Sequence, residues 1–96
     1  MKHLSHLEYK ILDILRLGHE FYGLEMVNVS GGALKRGSIY VTLSRMERKG
    51  YIASRQMMEQ KTSGLPRRIY RICGLGQQIL SATDVAQSAF DGGQFV

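Results

Sequence analysis

The stretch from Ser38 to Gly50 limits the fold more than any other part of the chain. Its apolar residues Ile39, Leu43 and Met46 recur at the spacing of one helical face. At about 100° per residue they cluster within roughly 40° of one another. Gly50 follows, and a residue without a Cβ suits the left-handed position that ends a helix. A helix with so narrow an apolar stripe packs against a core on one side only. Its other side carries Val41, Ser44, Arg45 and Arg48, with Ser38 and Lys49 at the margin and Tyr40 on a flank.

The other periodicities fall around this helix. From Leu4 to Leu17, the residues Leu4, Leu7, Ile11, Leu12, Ile14 and Leu15 form a helical stripe. Ser5 can cap its start, and Gly18 lies just past its end. A shorter helix is predicted from about Tyr22 to Ser30, carrying Leu24, Met26 and Val27 and stopped by Gly31 and Gly32. After Gly50 the pattern changes to that of strands, at Tyr51–Met57 and Arg67–Cys73. The polar segment between them ends in Thr62-Ser63-Gly64-Leu65-Pro66, residues suited to a hairpin tip. A last helix from about Leu75 to Phe90 places Leu75, Ile79, Thr83 and Ala86 on one face with Leu80 beside it. Asp91 to Val96 reads as a frayed tail.

Helix, helix, helix, hairpin, helix is the order of a winged helix-turn-helix, so the expected fold is mainly α. Ninety-six residues make one such unit. The expected division is a winged-helix domain at 1–73, a dimerisation helix at 74–90 and a tail at 91–96. Ile39, Leu43, Met46, Ile52, Tyr70 and Ile72 should be buried together. Leu75, Ile79, Leu80, Thr83, Ala86 and Phe90 are the expected dimer contacts, because the last helix carries more apolar surface than three short helices can cover.

Charge points to a partner. Between Lys35 and Arg71 there are ten Lys or Arg against Glu47 and Glu59, while the remainder holds three bases against six acids. A solvated surface would usually mix the signs, so a basic middle between acidic flanks suits a polyanion. The outward set on the third helix is a workable base-reading set. Arginine can bond guanine bidentately, serine can bond a base edge or phosphate, and valine can touch a thymine methyl. The helix N-terminus adds outward N–H groups that suit a phosphate. Lys35 and Arg36 stand just ahead of it, and Lys61, Arg67 and Arg68 lie on the hairpin.

The motifs on these elements resemble those of PadR-type transcriptional regulators. Gly37-Ser38-Ile39-Tyr40, then Leu43-Ser44-Arg45-Met46-Glu47-Arg48-Lys49-Gly50-Tyr51-Ile52, is similar to that family's third helix and its exit. Tyr22-Gly23-Leu24-Glu25-Met26 resembles the opening of its second helix. Pro66-Arg67-Arg68-Ile69-Tyr70-Arg71-Ile72 followed by Gly76 resembles its wing strand and last helix. The resemblance spans about residues 5–80. It implies a bacterial or phage regulator, usually a repressor, acting as a homodimer with its third helices in the major grooves of a palindromic operator. It implies DNA-facing roles for Ser38, Tyr40 and Arg45, wing contacts for Lys61, Arg67 and Arg68, and dimer contacts chiefly from the C-terminal helix. Three departures stand out: Val41 replaces the usual proline, Cys73 a usual threonine, and the C-terminal region is short for the family.

Other function classes find little footing. No apolar run approaches the roughly 18 residues of a membrane helix, and no signal-peptide pattern opens the chain. The single cysteine, Cys73, can form neither an internal disulfide nor a zinc cage, which fits a reducing cytoplasm; the resemblance implies that of a bacterial or phage-infected cell. Gly32–Ser38 superficially looks like a phosphate loop, but no Lys directly precedes Ser38 and no apolar strand precedes Gly31. Gly74-Leu75-Gly76 lacks the third glycine of a dinucleotide site. His3 and His6 near Glu8 read as polar surface rather than metal ligands, and His19 as a helix-end residue rather than a base. No catalytic constellation stands out, so neither an enzyme nor a cofactor is expected. The expected partners are double-stranded DNA and a second copy of the chain. A small-molecule effector is compatible with the family, though no residue identifies one. The rival reading is a winged helix that binds another protein without reading DNA.

Overall fold

The computed structural model describes residues 3–57 and 67–93. Helix α1 runs His6–Leu15. Ser5 starts it by reciprocal capping: its Oγ accepts the Glu8 N–H at 3.1 Å, and Glu8 Oε1 accepts the Ser5 N–H at 2.9 Å. Ile11, Leu12 and Leu15 are fully buried along the expected stripe. The helix passes into a single 3-10 turn, Arg16–Gly18, in which Leu17 adopts a left-handed backbone at φ 68°.

A two-residue strand, β1 (Phe21–Tyr22), leads directly into α2 (Gly23–Val29). Gly31 and Gly32, both at positive φ, turn the chain after it. The Ser30 hydroxyl donates to the Val27 carbonyl and accepts the Leu34 N–H at 3.0 Å, which draws Leu34 into the core. Helix α3 (Ile39–Lys49) ends at Gly50, whose φ of 82° is the left-handed cap expected of it.

Strands β2 (Ile52–Met57) and β3 (Arg67–Ile72) form the antiparallel hairpin. The short β1 adds to the other edge of β3, giving the order β1-β3-β2. On one face of the hairpin the cross-strand pairs are Ile52–Ile72, Ser54–Tyr70 and Gln56–Arg68. That face grades from buried at its root to exposed farther out. The core gathers Ile11, Leu12, Leu15, Met26, Leu34, Ile39, Leu43, Met46, Tyr51, Ile52, Tyr70, Ile72 and Leu80. All six residues expected to be buried together are among them.

Helix α4 (Gly74–Gly93) begins where the Gln77 N–H donates to the Cys73 carbonyl. It runs through Asp91-Gly92-Gly93, which the sequence suggested as frayed. Gly76 lets it dock, because a Cβ there would run into the Tyr51 carbonyl oxygen. One turn on, Leu80 is 4 % exposed and belongs to this chain's own core, which corrects its expected place on a dimer surface. Another turn on, Asp84 accepts the Tyr9 hydroxyl at 2.6 Å and an Arg16 N–H at 3.0 Å, tying α4 to α1. Leu75, Ala82 and Ala86 are exposed on the other side with Ile79 at the edge. The Thr83 hydroxyl turns back to the Ile79 carbonyl, and the Phe90 side chain lies outside the described residues. No described helix is long and apolar enough to cross a membrane.

Candidate nucleic-acid interface

Because Ile39, Leu43 and Met46 bury one side of α3, the other side is fixed by geometry. Ser38, Tyr40, Val41, Ser44, Arg45 and Arg48 are all exposed on it, and Lys35 and Arg36 are exposed just before it. The Ser38 side chain makes no capping bond, so its hydroxyl stays outward while its carbonyl accepts from the Thr42 hydroxyl. Among the described residues, Lys35, Arg36, Arg45 and Arg48 have no ion-pair partner. Four uncompensated cations therefore crowd one surface, where their field adds.

Tyr40 does not simply project. Its ring lies over Gly23 at the start of α2, where a Cβ would stand 2.8 Å from Tyr40 Cε1. The helix pair is thereby close enough to leave Tyr40 half covered, and the ring lines a cleft shared with Arg67, Arg68 and Tyr70 of the hairpin.

Two bases of the cationic middle are spent within the chain. Lys49, expected at the margin of the DNA-facing side, bonds Glu8 Oε2 at 2.7 Å and sits 5.8 Å from the Tyr51 ring centre. Burial would push the Glu8 carboxyl up, but the Lys49 ammonium and the Ser5 donors outweigh it and hold the carboxyl below its ordinary value. Lys49 thus braces the end of α3 against the start of α1. Arg55 forms a two-pronged pair with Glu20, at 2.7 and 3.0 Å, reaching past β3 to the approach to β1.

Toward the outer end of the hairpin strands, Arg67 stacks on the Tyr22 ring at 3.9 Å from its centre. Arg68 donates from Nε to the Ser54 hydroxyl at 2.9 Å, and that hydroxyl donates to Glu47 Oε2 at 2.8 Å. These groups border a half-open cleft of about 360 Å³ lined by Tyr22, Leu24, Tyr40, Arg67, Arg68 and Tyr70. Burial, with Glu47 and Tyr40 nearby, pushes the Tyr70 hydroxyl above its ordinary pKa. It stays neutral and can donate. Lys61, the remaining wing candidate, lies outside the described residues. Among the described residues no cluster of His, Cys, Asp or Glu could hold a metal.

Sequence reasoning left out Tyr22, Gly23, Glu47 and Ser54 as site residues. The first three stand within the motifs quoted above, so their pattern was visible without their role. Nothing in the sequence marked Ser54, whose importance depends on which side of the hairpin faces α3.

The arrangement recurs in known proteins. The model of the "Transcriptional regulator PadR-like family" matches residues 11–82. Bacillus subtilis PadR, solved in complex with operator DNA, superposes with a TM-score of 0.72 at 25% identity over 81% of this chain and 46% of its own. This chain therefore spans about half the length of that protein. A PadR family transcription regulator from Clostridium difficile is 29% identical with a TM-score of 0.73, covering 95% of this chain and 98% of its own. A PadR-like transcription factor from Bacteroides fragilis shares the fold, with a TM-score of 0.80 at 20% identity over 91% and 84% of the two chains. None of the curated proteins matches the sequence. With its winged-helix architecture and a family match over most of its length, the chain belongs to the PadR-like family of transcriptional regulators.

Proposed function

We propose that the chain binds duplex DNA sequence-specifically as a homodimer on a palindromic operator, usually to repress, in the cytoplasm of a bacterial or phage-infected cell. The observation that carries this reading is the outward face of α3, where Arg45 and Arg48 stand with Ser38, Tyr40, Val41 and Ser44 and no described acid pairs with either arginine. The operator complex of the Bacillus subtilis relative supports the same mode of use. Lys35 and Arg36 extend the cationic surface ahead of the helix, and the wing residues Arg67, Arg68 and Lys61 would meet the backbone. Dimerisation would use the stripe of α4 that turns away from the core, with Leu75, Ile79 and Ala86 on it.

Selecting bound duplexes from a random pool tests this directly. The selected sites should be palindromic, with half-sites separated by about one helical turn, roughly 34 Å. On such a site Arg45→Ala should cost roughly 1–3 kcal/mol and relax preference at one position per half-site. Arg67→Ala should weaken all sequences alike. A pool that yields no preferred sequence, with binding insensitive to salt, would instead favour a protein-binding module.

A further inference from the structure

The cleft beside the outer part of the hairpin places groups from the third helix and the wing around one hollow. Tyr40 comes from α3, and Arg68 and the buried Tyr70 from β3. Arg68 is held by a relay that crosses from hairpin to helix, through the Ser54 hydroxyl to Glu47. A serine hydroxyl can point its proton either way. The Glu47 carboxylate only accepts, so it fixes that proton toward α3 and leaves the oxygen lone pair facing Arg68 Nε. The inner edge of the guanidinium is thereby locked. Its two terminal nitrogens have no hydrogen-bond partner among the described residues, and neither has the Tyr40 hydroxyl.

Glu47 poses a problem for a helix that would lie against DNA, since a carboxylate there should repel phosphates. The relay resolves it: the negative charge is engaged by Ser54 and faces Arg68 through it. What the cleft then offers is a set of donors on a concave, cationic wall. A backbone phosphate protrudes from the duplex and only accepts, which suits such a hollow better than a recessed base edge does.

We propose that this cleft seats one backbone phosphate of bound DNA, gripped jointly by Arg68 and Tyr40, with Ser54 and Glu47 as positioning residues that aim Arg68. This rests on the DNA-binding reading above and adds that helix and wing share a single phosphate.

The test is a titration of a mixed-sequence duplex over a salt series, with thermal midpoints recorded for every variant. Arg68→Ala should flatten the slope of log affinity against log salt by about one unit per contact. Ser54→Ala should weaken binding about threefold to tenfold, the range of one positioned hydrogen bond, and Ser54→Thr should restore it. In the Arg68→Ala background Ser54→Ala should add nothing. Tyr40→Phe removes only an exposed hydroxyl, leaves folding aside, and should weaken binding about twofold or more.

An equal cost of Ser54→Ala with and without Arg68, or a Thr variant that folds but does not restore binding, overturns the relay. An unchanged salt slope in Arg68→Ala, or full affinity in Tyr40→Phe, overturns the shared grip. If the wild type bound no duplex at all, the DNA-binding reading would fail and this inference with it. Failure of the variants alone leaves that reading standing.

Discussion

Gly23 and Gly76 are both crowded glycines, but what crowds them differs. A Cβ at Gly23 would meet the outer edge of the Tyr40 ring, an exposed side chain able to swing aside. Gly23→Ala should therefore change thermal stability by less than about 1 kcal/mol. Duplex affinity should still fall, because the Tyr40 hydroxyl is displaced. Calorimetry beside a binding titration separates the two effects, and an unaltered affinity would show that Tyr40 is not used. At Gly76 the obstacle is the Tyr51 backbone carbonyl, which also accepts the Cys73 N–H and cannot give way cheaply. Gly76→Ala should destabilise by roughly 1–3 kcal/mol or more, read as a lowered unfolding midpoint.

At the scale of elements, the brace between α1 and α3 has a pH signature. The Glu8 carboxyl is held below its ordinary value of 4.5 by Lys49 and Ser5 against the opposing effect of burial. A group depressed in the folded state lends stability above its unfolded pKa and loses it as pH falls through the folded value. Asp84 behaves alike, lowered from 3.8 by the Tyr9 hydroxyl and Arg16. Glu8→Gln should lower stability near neutrality by about 1 kcal/mol, since Lys49 is partly open to solvent and screened. The variant and wild-type curves should converge in acid below pH 4.5, as denaturant titrations across pH would show. At the other end of the fold, Cys73 precedes the first residue of α4. Cys73→Thr should supply the missing cap and raise stability by about 0.5–2 kcal/mol in the same assay.

These elements also show what a sequence can disclose. The stripe Ile39, Leu43, Met46 and the stop at Gly50 were legible because helical periodicity and a left-handed cap are local. Strand β1 was not, since two residues carry no alternation and Phe21–Tyr22 becomes a strand only through β3. Lys49 sits on the right arc of its helix to face outward, yet Glu8, 41 positions away, claims it. Leu80 shares a helix with Leu75 but lies on the opposite arc, and only the docking of α4 at Gly76 decides which arc is inside. In each case what the local pattern lacks is the partner, which lies far along the chain.

Across the whole molecule, α4 is a helix of two faces. Gly76, Leu80 and Asp84 attach it to its own chain, while Leu75, Ala82, Val85 and Ala86 stay open to solvent, Val85 at 68 %. If that open arc is the subunit contact proposed above, Ala86→Arg should leave the unfolding of the core intact and yield monomers in sedimentation. Affinity for a palindrome should fall further than affinity for a half-site. A dimer that survives the substitution would move the contact elsewhere.

The attachment of Leu80 to its own core has a consequence for abundance in the cell. Leu80 of α4 packs into the same core as Ile11, Leu12, Met26, Leu43 and Ile72, so α4 is anchored to the winged helix through residues other than its open arc. If the chain pairs through that open arc as proposed above, its subunits should persist when dilute instead of unfolding as obligate pairs do. Were the proposed dimer the DNA-binding form, operator occupancy at low abundance would follow the square of subunit number, so halving synthesis would cut it about fourfold by mass action. The regulator would then act as a sensor of its own dosage.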